Sequence, residues 1–228
     1  MRSVVCMAAA WLAFAGTADA NPLLPGRLTR EAVDRVNACS NWTDVGQRAW
    51  LDNETVARRG QSRIVRRGDR LSIGRNVWRD VHGEQEMDRT RYRYVGRLQG
   101  APVDVVLYHP YEGHAYVLVD EPSGDTATVP GLPAISPSGA RLAAPASEPT
   151  FETNGLVVLE RAPGGFRALA RFPAIRYPCA LVWRGEDRLE LQVGVGPTSE
   201  GPGQWATAAI VHTATGWAYE GPVEATAH

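Results

Sequence analysis

The chain has no lysine; all 24 of its basic residues are arginine. After residue 20 it has no apolar run near the roughly 20 residues that a membrane-spanning helix needs. It also lacks G-x-S-x-G, H-E-x-x-H, a Walker-type phosphate loop and C-x-x-C. Those gaps remove the serine-hydrolase elbow, the zincin helix, nucleotide-phosphate binding through that loop and dithiol redox chemistry. Gly194-Val195-Gly196 opens like a dinucleotide loop, but Pro197 follows and no helical pattern does. Cysteine is scarce, at three. Arginine without lysine, beside abundant alanine, points to coding in a GC-rich bacterial genome. A formal charge of −1 argues against a nucleic-acid partner.

The N-terminus is patterned for export. Arg2 is the only charge ahead of an uncharged run at residues 4–16, and Ala18 and Ala20 give the small-x-small pattern of signal cleavage. Residues 1–20 are expected to be a signal peptide cut between Ala20 and Asn21, which leaves no stable membrane span. The compartment implied is periplasmic or extracellular. Cys6 falls inside the signal, so the exported chain keeps Cys39 and Cys179. In an oxidising compartment an isolated pair becomes a disulfide. A closed loop near 140 residues is worth roughly 5 kcal/mol in the chain-entropy description.

Residues 21–60 read as an N-terminal segment with one short helix. Thr29 can cap it, Glu31 suits its first turn, and Ala32, Val33, Val36 and Cys39 share a face through about Ser40. Residues 61–228 read as all-β. Short β-branched or aromatic runs fall at 62–66, 70–73, 91–95, 103–108, 115–120, 125–129, 140–144, 155–160, 166–172, 180–183, 188–193, 205–211 and 216–220. Gly, Pro, Asp and Ser turns separate them. A Gly turn followed by Arg-Leu occurs at residues 67–71, 138–142 and 185–189. Hairpin-tip glycines recur at Gly124, Gly165 and Gly216. Spacings of about 40–50 residues suggest propeller-like four-stranded repeats, with the first repeat poorly formed. An antiparallel β-sandwich or barrel is the alternative, because limited turn chemistry also makes hairpins look alike.

The segment Ile135-Ser136-Pro137-Ser138-Gly139-Ala140-Arg141-Leu142 resembles the S-P-D-G turn of TolB-type or WD40-like propeller repeats. Residues 91–144 are similar to small exported bacterial proteins of unknown function. The parts that match are Tyr92, Tyr94, Tyr111-Glu112-Gly113 and Tyr116-Val117-Leu118-Val119-Asp120. Ser138 stands where that pattern has Asp. The resemblance implies a fold and a compartment, and no reaction.

The densest polar cluster is Tyr108-His109-Pro110-Tyr111-Glu112-Gly113-His114. His109, Tyr111, Glu112 and His114 are therefore candidate ligand-binding residues. Two imidazoles and a carboxylate suit a divalent metal, and His82 and Glu84 could join from another loop. Plain loop is the competing reading, and no cofactor is required. No catalytic residue is assigned: Ser136, Ser138, His109, Glu112 and Asp104 supply candidate groups, but no spacing unites them. Charge is uneven. Residues 58–97 hold twelve Arg and five acids, whereas residues 98–228 hold seven Arg and fourteen acids. The basic stretch is either an anion-facing surface or the internal partner of the later acids. Trp42, Trp50, Trp78, Trp183, Trp205 and Trp217 serve packing or a sugar-stacking platform. The function expected is a binding or interaction module of a bacterial envelope, its partner an envelope protein, a polysaccharide or an anionic ligand. The alternative is an envelope hydrolase or metal-dependent enzyme using the Tyr108–His114 loop.

Overall fold

The computed structural model describes residues 26–39, 57, 63–111, 113–148, 153–196 and 203–225. The expected signal segment with its Ala20–Asn21 junction, Glu112, Trp42 and Trp50 lie outside them. The described chain is all-β, in four sheets, none of them closed. Sheet I is β2 (Ile64–Arg67), β3 (Arg70–Ile73) and β4 (Asn76–Arg79). Sheet II is the meander β5 (Arg91–Leu98), β6 (Val103–His109), β7 (Ala115–Asp120) and β8 (Thr126–Val129), with β1 (Arg27–Leu28) added parallel to β5. Sheet III runs β9 (Ala134–Ile135), β10 (Arg141–Glu148), β11 (Thr153–Ala162) and β12 (Gly165–Phe172). Sheet IV runs β13 (Cys179–Trp183), β14 (Arg188–Val195), β15 (Gln204–Thr213) and β16 (Gly216–Glu220).

Period-two alternation decides which residues fill the layers between sheets. Ile64, Leu71 and Ile73 of sheet I meet Tyr94, Val106, Val117 and Val119 of sheet II. The opposite face of sheet II sends Val105, Tyr116 and Leu118 against Leu142, Val157 and Leu159 of sheet III. Sheet III in turn sets Ala143, Leu156 and Val158 against Leu189, Leu191, Val193 and Ile210 of sheet IV. Each such fully buried side chain contributes about 1.5–3 kcal/mol relative to exposure. Sheets II and III are thus apolar on both faces, while sheets I and IV each keep one outer face.

Ion pairs clasp successive sheets and account for part of the charge asymmetry. Arg63, just ahead of β2, meets Asp104 at 3.1 Å and Glu121 at 2.7 Å, and Arg97 also pairs with Glu121. Arg75 in the β3–β4 turn reaches Asp125 in the β7–β8 turn at 2.7 Å. Arg161 of β11 meets Asp120 at the end of β7 at 2.7 Å. Arg141 of β10 meets Asp187 in the β13–β14 turn at 2.8 Å. Three arginines of the basic stretch therefore neutralise later acids. The turns stack as well. A Cβ on Gly139 would lie 2.2 Å from the Gly100 carbonyl oxygen, and the residue sits at φ 75°, so the S-P-S-G turn needs glycine there.

The N-terminal segment crosses the first strand of three sheets. Gly26 and Leu28 carbonyls accept from Arg97 and Gln99 N–H beside β5. The helix α1 (Arg30–Val36), capped by the Thr29 hydroxyl as expected, packs Val33 into the layer between sheets II and III. It stops at Val36 instead of Ser40, with Asn37 as C-cap. Asn37 Nδ2 donates to the Leu132 carbonyl, and its own carbonyl accepts from Ala180 N–H. The Cys39–Cys179 disulfide, with Cα atoms 5.1 Å apart, then fastens the segment to sheet IV.

Candidate functional site

The β6–β7 loop carries the residues singled out from the sequence. His109 ends β6, directly across from Arg91 of β5, and His114 immediately precedes β7. Alternation splits the cluster. Tyr108 joins Tyr92 at 5.2 Å, and Tyr92 joins Trp78 at 6.4 Å, in an aromatic row packed on the layer between sheets I and II. His114 instead meets Tyr116 edge-on at 5.8 Å, on the side that faces sheet III. Tyr111 is exposed at the loop tip. Among the described residues no three His, Cys, Asp or Glu side chains converge as a metal site, and these exclude Glu112.

The other candidate polar residues are distributed over different sheets. Asp104, 1% exposed, accepts from the Tyr94 hydroxyl at 3.1 Å. Burial raises its pKa, and the Arg63 guanidinium offsets only part of that. Ser136 and Ser138 hydroxyls lie 3.4 Å apart in the S-P-S-G turn. The Ser138 N–H donates to Glu186 at 2.9 Å. Burial would raise the Glu186 pKa, but the Ser138 N–H and the Ser136 and Ser138 hydroxyls outweigh it, so the carboxyl is held below its ordinary range. His212 Nδ1 sits 3.4 Å from Asp187 and its ring 5.0 Å from Trp217, over which Arg141 also stacks at 5.2 Å. The serine hydroxyls bond Glu186 and local backbone, while the imidazole faces Asp187 and Trp217. This junction clasps sheets III and IV. Trp78, Trp183 and Trp217 likewise pack between or along sheets. A small cleft of about 50 Å³, open to solvent, lies between α1 and the first strands of sheets II, III and IV, lined by Leu28, Val33, Ile135, Leu181 and Trp183.

The outer face of sheet I is different in kind. Register places Arg67 opposite Arg70 and Arg70 opposite Arg79, so three arginines form one row across three strands. All three are exposed, and none forms an ion pair among the described residues. The neighbouring row is Val65, Ser72 and Val77. The inner-face acid Asp80 is taken by Arg66 at 3.3 Å, and Asp69 sits in the turn, so the outer face has no carboxylate of its own. Like charges directly opposite one another destabilise a sheet. The outer face of sheet IV contrasts with it: there Glu190 pairs with Arg184 at 2.9 Å, and Glu220 with Arg188 at 3.2 Å.

The excess of arginine was visible in the sequence, but the row was not, because it depends on strand register and on β4. The two-residue Gly68-Asp69 turn was the available signal: it fixes Arg67 opposite Arg70. Compared with models of known families and with curated proteins, the chain matches none.

Proposed function

We propose that this chain is an exported binding module of a bacterial envelope, built on propeller-like repeats, and that its ligand is anionic. The observation that carries the reading is the row Arg67, Arg70 and Arg79 on a sheet face without a carboxylate. Arg63, Arg75, Arg141 and Arg161 bind neighbouring sheets together, whereas this row forms no ion pair with the described chain and sets like charges opposite one another. Arginines rooted at Cα atoms about 5 Å apart across strands suit an array of phosphate, sulfate or carboxylate groups. The propeller-like reading is supported by three consecutive four-stranded meanders, β5–β8, β9–β12 and β13–β16, whose equivalent turns stack. Export is supported by the N-terminal pattern together with the Cys39–Cys179 bridge. Among the described residues no helix is long and apolar enough to cross a membrane.

The test is a titration of the folded protein with inorganic polyphosphate, followed by tryptophan fluorescence or calorimetry. Saturable binding that weakens with salt and falls at least about tenfold in Arg67→Gln/Arg70→Gln/Arg79→Gln is the expected result. Equal binding by the triple variant refutes the assignment.

A further inference from the structure

We infer that the occupant of the arginine face is the surface of an anionic phospholipid bilayer, an inference that rests on the anionic-ligand reading above. The valines carry it. Exposure alternates along β4 and beyond: Val77 is 44% exposed, Arg79 is exposed and Val81 is 51% exposed, while Trp78 and Asp80 turn inward. The face is therefore amphipathic, with a row of three arginines bordered by Val65 and Val77, and exposed Val81 follows just past the end of β4, where it bridges Thr90. Spacings of 4.7–4.9 Å between strands and about 3.3 Å along them make it roughly 10 Å by 15 Å.

A soluble polyanion would satisfy the arginines and leave the valines in water. A bilayer interface takes both, with guanidinium groups at the phosphate level and short apolar side chains at the acyl boundary. Valine does not reach deep, so attachment would be peripheral and reversible. The acids nearby set the limits of the face. Asp69 borders it at the turn tip. Met87, although 64% exposed, stands between Glu86 and Asp88 and near Glu84, and that acidic turn stays off an anionic surface.

The experiment is co-sedimentation with vesicles of phosphatidylglycerol and phosphatidylcholine, against phosphatidylcholine alone, with polyphosphate binding measured in parallel. Wild type should bind only the anionic vesicles. About one kcal/mol per arginine near such a surface corresponds to roughly a hundredfold loss in Arg67→Gln/Arg70→Gln/Arg79→Gln and about fivefold in Arg70→Gln alone. Val77→Ser/Val81→Ser should weaken vesicle binding about tenfold and leave polyphosphate binding unchanged. Circular dichroism checks folding, and the single variant serves if the triple does not fold. Binding of polyphosphate without vesicles overturns this inference and leaves the anionic-ligand reading standing. Binding of neither overturns both. A valine variant that loses both ligands equally, or self-association of wild type that the arginine variants abolish, also overturns the bilayer assignment.

Discussion

Replacing Arg70 with Gln should make the protein more stable. Arg70 stands between Arg67 and Arg79, so one substitution ends two like-charge cross-strand pairs. Such pairs cost a few tenths to one kcal/mol each, which gives a gain of about 1 kcal/mol, or roughly fivefold in the folding equilibrium. Glutamine keeps a long polar side chain and fills no new space, so little else should change. The gain is electrostatic between exposed groups and must therefore fade with salt. The screening length falls from about 10 Å at 0.1 M to about 3 Å at 1 M. Urea unfolding at about 20 mM and 1 M NaCl measures this directly, through a shift in midpoint without a change in slope. Arg184→Gln is the control, because Arg184 pairs with Glu190 and its loss should move stability the other way. An Arg70→Gln variant that is less stable at low salt, or whose gain is equally large at 1 M, would refute the reasoning. The row would then be neither a cost nor a sign of selection for binding.

Reduction of the Cys39–Cys179 bridge, or Cys39→Ser, should lower stability by several kcal/mol, about 5 from loop closure over the 140-residue separation; unfolding midpoints with and without reductant test it. Asp120→Asn should cost about 2 kcal/mol at pH 7, since Asp120 is buried and accepts from Ser123 and Arg161. Burial alone would raise the Asp120 pKa, but the Ser123 hydroxyl and N–H and the Arg161 guanidinium outweigh it and hold it below the usual value. Its contribution is thus complete above about pH 4 and lost as pH falls through the depressed value, so wild type and variant should converge in acid. Gly139→Ala should cost about 3 kcal/mol through a clash with the Gly100 carbonyl and a left-handed backbone. Gly185→Ala meets open space at φ 78° and should cost only about 1 kcal/mol; thermal unfolding of the two separates clash from conformation.

Much of the strand inventory was legible because β-branched runs and turn residues alternate cleanly. The runs expected at 70–73, 115–120 and 216–220 match β3, β7 and β16 residue for residue. The shortest elements were not legible. β1 and β9 have two residues each, and β4 reads Asn-Val-Trp-Arg, too short to establish a period. The repeat signal was partly misleading. Ser138-Gly139 and Gly185-Glu186 do occupy equivalent first turns of sheets III and IV and touch through the Ser138 N–H and Glu186. Arg67-Gly68-Asp69 belongs to the β2–β3 turn, at the opposite end from the β3–β4 turn that meets Asp125. Turn chemistry is local, and it does not say which end of a sheet a turn occupies. The same limit governed the site. A cluster such as Tyr108–His114 is easy to see in one dimension, but strand alternation sends Tyr108 and His114 to opposite sides of sheet II. The three arginines, spread over thirteen residues, become neighbours only through pairing.

Sheets stacked by nearest-neighbour contacts would tend to melt one at a time. The segment from Gly26 to Cys39 changes that for three of the four. It hydrogen-bonds beside β5, packs on the approach to β9 and is bonded covalently to β13, so loosening any one of these sheets strains its hold on the others. Sheets II to IV should therefore exchange their amides as one cooperative block. Sheet I, which this segment does not cross, is held by one apolar layer, the Arg63 and Arg75 ion pairs and a few hydrogen bonds through Arg66, Asn76 and Asp80, and should exchange first. On that expectation the basic face belongs to the first sheet to open, and amide exchange read sheet by sheet checks it: protection in sheet I equal to that in sheets II to IV would count against it.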